Sequence, residues 1–251
     1  MPLPLPNTSP QTYARLGGAL YLAIIVFGAF SEGFVMSKLL VSGDAVATAR
    51  NILAAPGLWR CAVLLNVLLV LCAVPLQWIE YVLLRPVNKR LVMLALVLNL
   101  VSLSVESVSK VFLLLVLPTL ENTQYGHTLG TEQVAMLAHL LLTAHGVAFN
   151  VALLLFGLTC LVNGYLIFKS DYLPKAVGVG MQAAGVGYLV SCFAALFAPA
   201  LAAVLLPALL LLPFLGELSL CLWLLIKGVN TAKWKSRAHQ NQEVSPVLVG
   251  V

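Results

Sequence analysis

The stretch that decides the fold is Leu91–Leu117, LVMLALVLNLVSLSVESVSKVFLLLVL, an apolar run whose charged residues are Glu106 and Lys110. As a helix rising 1.5 Å per residue it reaches about 40 Å, enough to cross the ~30 Å hydrocarbon core of a bilayer. Its surroundings are of the same kind. Of the 251 residues, 61% are hydrophobic and 9% charged, where soluble globular chains run near ~45–50% and ~25%. That composition excludes a disordered protein, a nucleic-acid module and a water-soluble enzyme. Five further apolar segments flank the first, at Ala14–Leu40, Leu58–Leu84, Gln133–Phe168, Lys175–Phe197 and Leu201–Ile226. The expected fold is all-α: a polytopic bundle of six transmembrane helices over residues 14–230, with cytoplasmic tails at 1–13 and 231–251. Gln133–Phe168 is too long for one straight crossing, so it tilts or begins in water.

The connections differ in character. SGDAVATARNILAAPG, from Ser42 to Gly57, opens on an N-cap residue at Asp44 and closes at Pro56-Gly57, which predicts a short interfacial helix between spans one and two. LRPVNKR and KSDYLPK are tight basic turns, ENTQYGHTLGTE is polar and lacks Lys and Arg, and the tail from Lys233 onward reads as polar and mobile. Before Arg15 there is no basic residue, and the apolar segment after it is too long for a signal-peptide core, so the first span is expected to be retained.

The basic residues set the orientation. With the N-terminus inside, Arg15, Arg85, Lys89, Arg90, Lys169, Lys175, Lys227, Lys233, Lys235 and Arg237 collect on the cytoplasmic side, against Lys38, Arg50 and Arg60 outside. This bias predicts that both termini are cytoplasmic; the expected location is the cell inner (plasma) membrane. The net charge of +5 therefore reports topology. All five cysteines fall in apolar stretches without a C-x-x-C pair, so they read as buried small hydrophobes. A weak internal repeat is visible, because Asn66 precedes Arg85 by the interval that separates Asn150 from Lys169.

An ionisable side chain inside a span carries an insertion penalty of ~2.5–3.5 kcal/mol, so each one needs a reason. In span three Asn99, Ser102, Glu106, Ser109 and Lys110 fall within about a 100° wedge of one helix face, which must meet protein or water. Glu106 and Lys110, in the favourable i,i+4 order, are expected to pair, either as a packing device or as part of a site. Span four carries His139, Thr143, Gly146 and Asn150 on one face and His145, Ala152, Thr159 and Asn163 on another, so its two histidines point apart. His145 is the deeper and the better candidate. Glu32 and Glu106 both lie roughly 22–24 Å above the inner ends of their helices, and Glu217 about 15 Å above Lys227. Glu32, Glu106, Lys110, His145, Asn150 and Glu217 are therefore expected to converge on one polar pocket that opens outward. Pro207 and Pro213 free carbonyls near Glu217, which is tolerated only against protein or a wet cavity. Glu80 in span two reads as a snorkelling partner of Arg85 at the inner interface, with Pro75 kinking that span. The small residues Gly178, Gly180, Ala184, Gly185 and Gly187 make span five a close-packing, central helix.

No G-x-S-x-G, Walker loop, dinucleotide fingerprint or H-E-x-x-H is present. A haem held by two histidines, a retinal lysine and a Met or Cys metal ladder are all unsupported, and no cofactor is assigned. A mixed metal site from Glu32, Glu106, His145 and Glu217 stays open.

SGDAVATARNIL, YVLLRPVNKRL, LLTAHGVAFN, LPKAVGVG and GELSLCLWLLIKGVN, in that order, resemble a prokaryotic integral-membrane family catalogued as domain of unknown function 4386. The resemblance spans roughly Ala14 to Asn230. It implies a multi-helix membrane protein without an assigned activity, in which Glu32, Asp44, the Arg85–Asn88 turn, His145-Gly146 and Gly216-Glu217 belong to the family pattern. Such proteins often carry an acidic residue in span two and a second histidine late in span four. This chain has Asn66 and Thr159 there, which argues against any mechanism needing those groups.

Three functions follow as expectations. The first is small-solute or proton-linked transport or ligand binding, with a glutamate changing protonation. The second is a membrane-embedded, metal-assisted enzyme using His145 and the glutamates. The third is a non-catalytic subunit or sensor accessory. The bilayer, a small molecule or ion and a second copy of the chain are the expected partners; nucleic acid is not.

Overall fold

A backbone crossing lipid must satisfy its own polar groups, and helices do so within one segment. The computed structural model describes residues 9–198, 200 and 211–244, and among them every regular element is helical. In chain order these are α1 (Pro10–Leu39), α2 (Ala45–Ala54), α3 (Pro56–Leu84), α4 (Lys89–Glu121), α5 (Thr123–Leu129), α6 (Thr131–Phe168), α7 (Lys175–Phe197), α8 (Leu211–Ile226) and α9 (Thr231–Val244). Five of them, α1, α3, α4, α6 and α7, are long and apolar enough to cross a membrane. A sixth span is reached if α8 is taken together with α9 across a 101° bend. Large apolar side chains such as Leu64, Leu71, Leu140 and Phe197 stand exposed on the helix surfaces, as a lipid solvent requires. The protein is a polytopic membrane helical bundle. Pro207 and the start of the sixth apolar segment lie outside the described residues.

The chain divides into two compact units. One comprises Met1–Leu22, Val74–Leu100 and Leu153–Val251, the other Ala23–Ala73 and Val101–Ala152.

The second unit is organised around Trp59, Ile52, Val35, Leu113 and Val116, all essentially inaccessible. The helix expected after Asp44 is present as α2: the Asp44 carboxylate accepts from the Ala47 N–H at 2.8 Å, the N-cap bond. Asn51 Nδ2 donates to the Leu39 carbonyl at 3.2 Å, and Thr48 Oγ1 accepts from the Val41 N–H at 2.9 Å, so α2 is tied to the end of α1. The polar ENTQYGHTLGTE segment also contains a short helix, α5, capped by Asn122.

In the first unit α7 lies between α6 and α8 at backbone contact. A Cβ placed on Gly178 would come 2.6 Å from the Phe168 nitrogen, and one on Gly216 2.8 Å from Ala184 Cβ. Pro213 serves the same packing, 2.8 Å from a Cβ on Gly187. The central placement expected of the glycine-rich span holds for these neighbours, because small residues let backbones approach without a side chain between them. Helix α3 runs through Pro75, and α6 is a single helix of 38 residues.

The tail from Lys233 onward, expected to be mobile, is helical as far as Val244, and residues 245–251 lie outside the described residues. Asn230 caps α9, its Oδ1 accepting from the Lys233 N–H at 3.1 Å. Trp234 is buried and its Nε1 donates to the Leu83 carbonyl at 2.9 Å, which also accepts from the Tyr172 hydroxyl at 2.7 Å. Burial pushes the Tyr172 phenol above the usual tyrosine range, so it remains a donor in alkaline solution. Arg237 closes the arrangement on Asp171 at 2.7 Å.

Candidate functional site

Five of the six candidate residues belong to the second unit, and four of them, on three helices, are linked by close contacts. Glu32 stands on a π-helical stretch of α1, Ala29–Met36, where each hydrogen bond spans an extra residue and re-aims the side chains. Glu106 and Lys110 lie on α4, with Lys110 Nζ 3.4 Å from Glu106 Oε1. The same Nζ stands 4.2 Å from the centre of the Phe149 ring, a cation–π contact from α6. His145, also on α6, stacks on Phe149 with ring centres 5.7 Å apart. The wedge of α4 faces protein throughout: Asn99, Ser102, Glu106, Ser109 and Lys110 are all buried.

His145 is fixed from both sides. Its Nδ1 is 3.1 Å from the Ser109 carbonyl oxygen, which only accepts, so this nitrogen carries the proton. In the neutral ring the lone pair then sits on Nε2, and Nε2 faces Glu32 Oε1 at 4.0 Å. That oxygen has no hydrogen-bond partner although it is buried. The Asn66 side-chain amide on α3 donates to the Ala62 carbonyl at 3.2 Å. Asn66 Oδ1 and Lys110 Nζ are likewise without hydrogen bonds.

Charge can be counted over this group. Glu106 and Lys110 cancel each other, neutral His145 contributes nothing, and the Glu32 carboxylate leaves a net charge of minus one. The Glu32 side chain keeps 34% of its surface exposed, while those of Glu106, Lys110 and His145 are buried. Glu32 is thus the accessible member of a dry set.

Asn150, the fifth candidate, shares α6 with His145 but turns its amide to its own helix, donating to the Gly146 carbonyl at 2.8 Å. Glu217 is the sixth candidate. It belongs to the first unit, where it accepts from the Tyr188 hydroxyl at 2.5 Å and shares an electrostatic environment with Glu80, Tyr21 and Cys160. Helix α8 thus presents Glu217 to Tyr188 of α7. Glu80 corrects the sequence reading. It is buried rather than at the surface, and accepts from Asn163 Nδ2 at 2.9 Å. Beside it Asn99 donates to Gln77. His139 is exposed, in line with the preference for His145.

The sequence reading missed Phe149 and Tyr188. Both had a signal: Phe149 follows His145 by one helical turn, and a tyrosine in the small-residue span needs an acceptor for its hydroxyl. The π-helical stretch had none. Among the described residues no group of three or more His, Cys, Asp or Glu side chains is placed to hold a metal ion.

Residues 16–228 match the family described as Domain of unknown function (DUF4386). No curated protein and no solved structure matches the chain.

Proposed function

The chain belongs to the DUF4386 family, and we propose that it is a proton-linked small-solute transporter or binder whose working group is Glu32 with His145. The observation that carries this reading is the orphaned Glu32 Oε1 facing a nitrogen whose tautomer is already set. A proton arriving at the pair has two bases to choose between, and in either place it cancels the uncompensated charge. Glu106 and Lys110 form an internally neutral pair and act as a fixed electrostatic wall. The orientation, with both termini cytoplasmic, is part of the proposal and rests on the distribution of Lys and Arg, and placement in the plasma membrane is proposed with it. A chain of this size is small for a secondary transporter, which makes a second copy its expected partner. The metal-assisted alternative receives no support from the side-chain placement.

Infrared titration of the reconstituted protein tests the reading without knowledge of the solute. A protonated carboxyl C=O band should grow on acidification, be missing in Glu32→Gln, and return shifted in Glu32→Asp. An unchanged titration in Glu32→Gln would remove Glu32 from the mechanism and leave the accessory-subunit reading. Solute-driven proton flux in proteoliposomes, lost in Glu32→Gln, is the functional counterpart.

A further inference from the structure

We infer that α9 is an interfacial helix and that its lysines, with those at the junction of α6 and α7, form a docking surface for the headgroups of anionic phospholipids. This surface belongs to the first unit and owes nothing to Glu32. Three observations lead to it.

The first is where α9 stands. The chain turns through 101° between α8 and α9, with Gly228 in the left-handed region at φ 69°. Turn and helix are fixed to the ends of α1, α3 and α6. Gln11 of α1 donates to the Lys227 carbonyl at 2.9 Å and accepts from the Val229 N–H at 3.0 Å. The Asn230 N–H donates to the Tyr172 carbonyl at 3.2 Å, and Trp234 reaches the Leu83 carbonyl near the end of α3. Lys233, Lys235 and Arg237 bar α9 from hydrocarbon, so it runs along the boundary that the spans cross.

The second is charge. Lys169, Lys175, Lys227, Lys233 and Lys235 are exposed and form no salt bridge among the described residues. The Asp171 carboxylate is neutralised by Arg237 at 2.7 Å. Five lysines less Glu243 leave a surplus of four positive charges. Trp234 and Ala238 turn inward, and Lys233 and Lys235, about 100° to either side of Trp234, flank that anchored stripe and stay available.

The third is the aromatic rim. Lys169 Nζ stands 5.9 Å from the ring centres of both Tyr165 and Phe168, and Lys175 Nζ 5.6 Å from that of Phe168. Two ammonium groups gathered over one ring at the end of a span lie where aromatic side chains meet the headgroup layer, and an anion between them relieves their repulsion. Tyr165 and Val179, each one helical turn further into its span, are exposed and offer apolar surface to acyl chains. That combination favours a lipid over a soluble polyanion.

The test uses the full chain in phosphatidylcholine nanodiscs, with spin-labelled phosphatidylglycerol and spin-labelled phosphatidylcholine as probes. The motionally restricted fraction of each label gives their relative association with the protein. Phosphatidylglycerol should be preferred about threefold or more in about 0.1 M sodium chloride, and the preference should collapse toward unity in about 1 M salt. Joint replacement by Lys169→Gln, Lys175→Gln, Lys227→Gln, Lys233→Gln and Lys235→Gln should abolish it, whereas arginine at the same positions should retain it. Lys38→Gln with Arg60→Gln, in the second unit, should leave it unchanged. Equal association of the two lipids, or a preference that survives the five glutamines, overturns the inference. So does a preference erased by millimolar inorganic phosphate at constant ionic strength, which would assign the surface to free phosphate. Should the five-site variant not fold, Lys169→Gln with Lys175→Gln carries the same comparison, with a preference reduced relative to the native chain expected and an unchanged one overturning it.

Discussion

Removing the Lys110 ammonium while keeping its bulk, as in Lys110→Met, exposes the energetics of the buried pair. At 3.4 Å and an effective dielectric constant near 20, the attraction between Lys110 Nζ and Glu106 Oε1 is about 5 kcal/mol. Most of that gain offsets the desolvation of two charges, so the intact pair contributes little net stability over an apolar substitute. Breaking it is another matter. Lys110→Met leaves Glu106 charged in a buried place with its counterion gone, which costs about 3–5 kcal/mol, and Glu106→Gln strands Lys110 to a similar extent. The double variant restores neutrality and should fall within about 1 kcal/mol of the native protein, which gives a coupling energy of at least ~5 kcal/mol. Reversible unfolding in mixed bicelles with added dodecyl sulfate, followed by far-ultraviolet circular dichroism, measures all four corners of the cycle. Single variants that each lose under about 1 kcal/mol, or a double variant equal to the sum of the singles, would show that water already solvates both charges, and the dry character assigned to the group would fall with it.

Other outcomes follow from the packing and the topology. Gly216→Leu should destabilise the first unit by about 1–3 kcal/mol or more through overpacking against Ala184, and should speed thiol labelling of the buried Cys221. Trp234→Phe removes one hydrogen bond to the Leu83 carbonyl, worth about 1 kcal/mol, and should raise amide exchange in α9 while leaving α4 unaffected. In a Cys61→Ala background an impermeant maleimide should label Ser42→Cys in intact cells and His239→Cys only after permeabilisation; the reverse pattern would invert the proposed orientation.

The extents of the helices were legible because bilayer thickness and backbone satisfaction leave little choice in an apolar run. Asp44 was legible as a cap because its chemistry is local. So was the α4 wedge, since polar residues at helical spacing cannot all face lipid. What escaped depends on the relations between helices. Glu217 and Glu106 look alike in a list of intramembrane acids, yet one is met by the Tyr188 hydroxyl and the other by Lys110. The fate of Glu80 turned on Asn163, far away in sequence. Helix α9 was hidden by its own polarity: Trp234 and Ala238, one turn apart, make a buried stripe too narrow to stand out among lysines.

Besides the pairs that bond across helices, polar side chains inside the spans include two kinds whose difference bears directly on function. Ser31, Ser37, Ser107, Thr119, Thr143, Thr159 and Asn150 all bond a carbonyl of their own helix three or four residues back. Such a residue is satisfied before any neighbour arrives, so its presence in a membrane helix calls for no ligand and no partner. Asn66 begins in the same way, with its amide on Ala62, but its carbonyl oxygen then has nothing to accept. Together with Glu32 Oε1 and Lys110 Nζ it belongs to the second kind, whose burial is a standing penalty unless something else completes it. Glu32 Oε1, Asn66 Oδ1 and Lys110 Nζ are therefore the atoms of the second unit that helix packing leaves incomplete among the described residues, and the infrared titration reads the first of them directly.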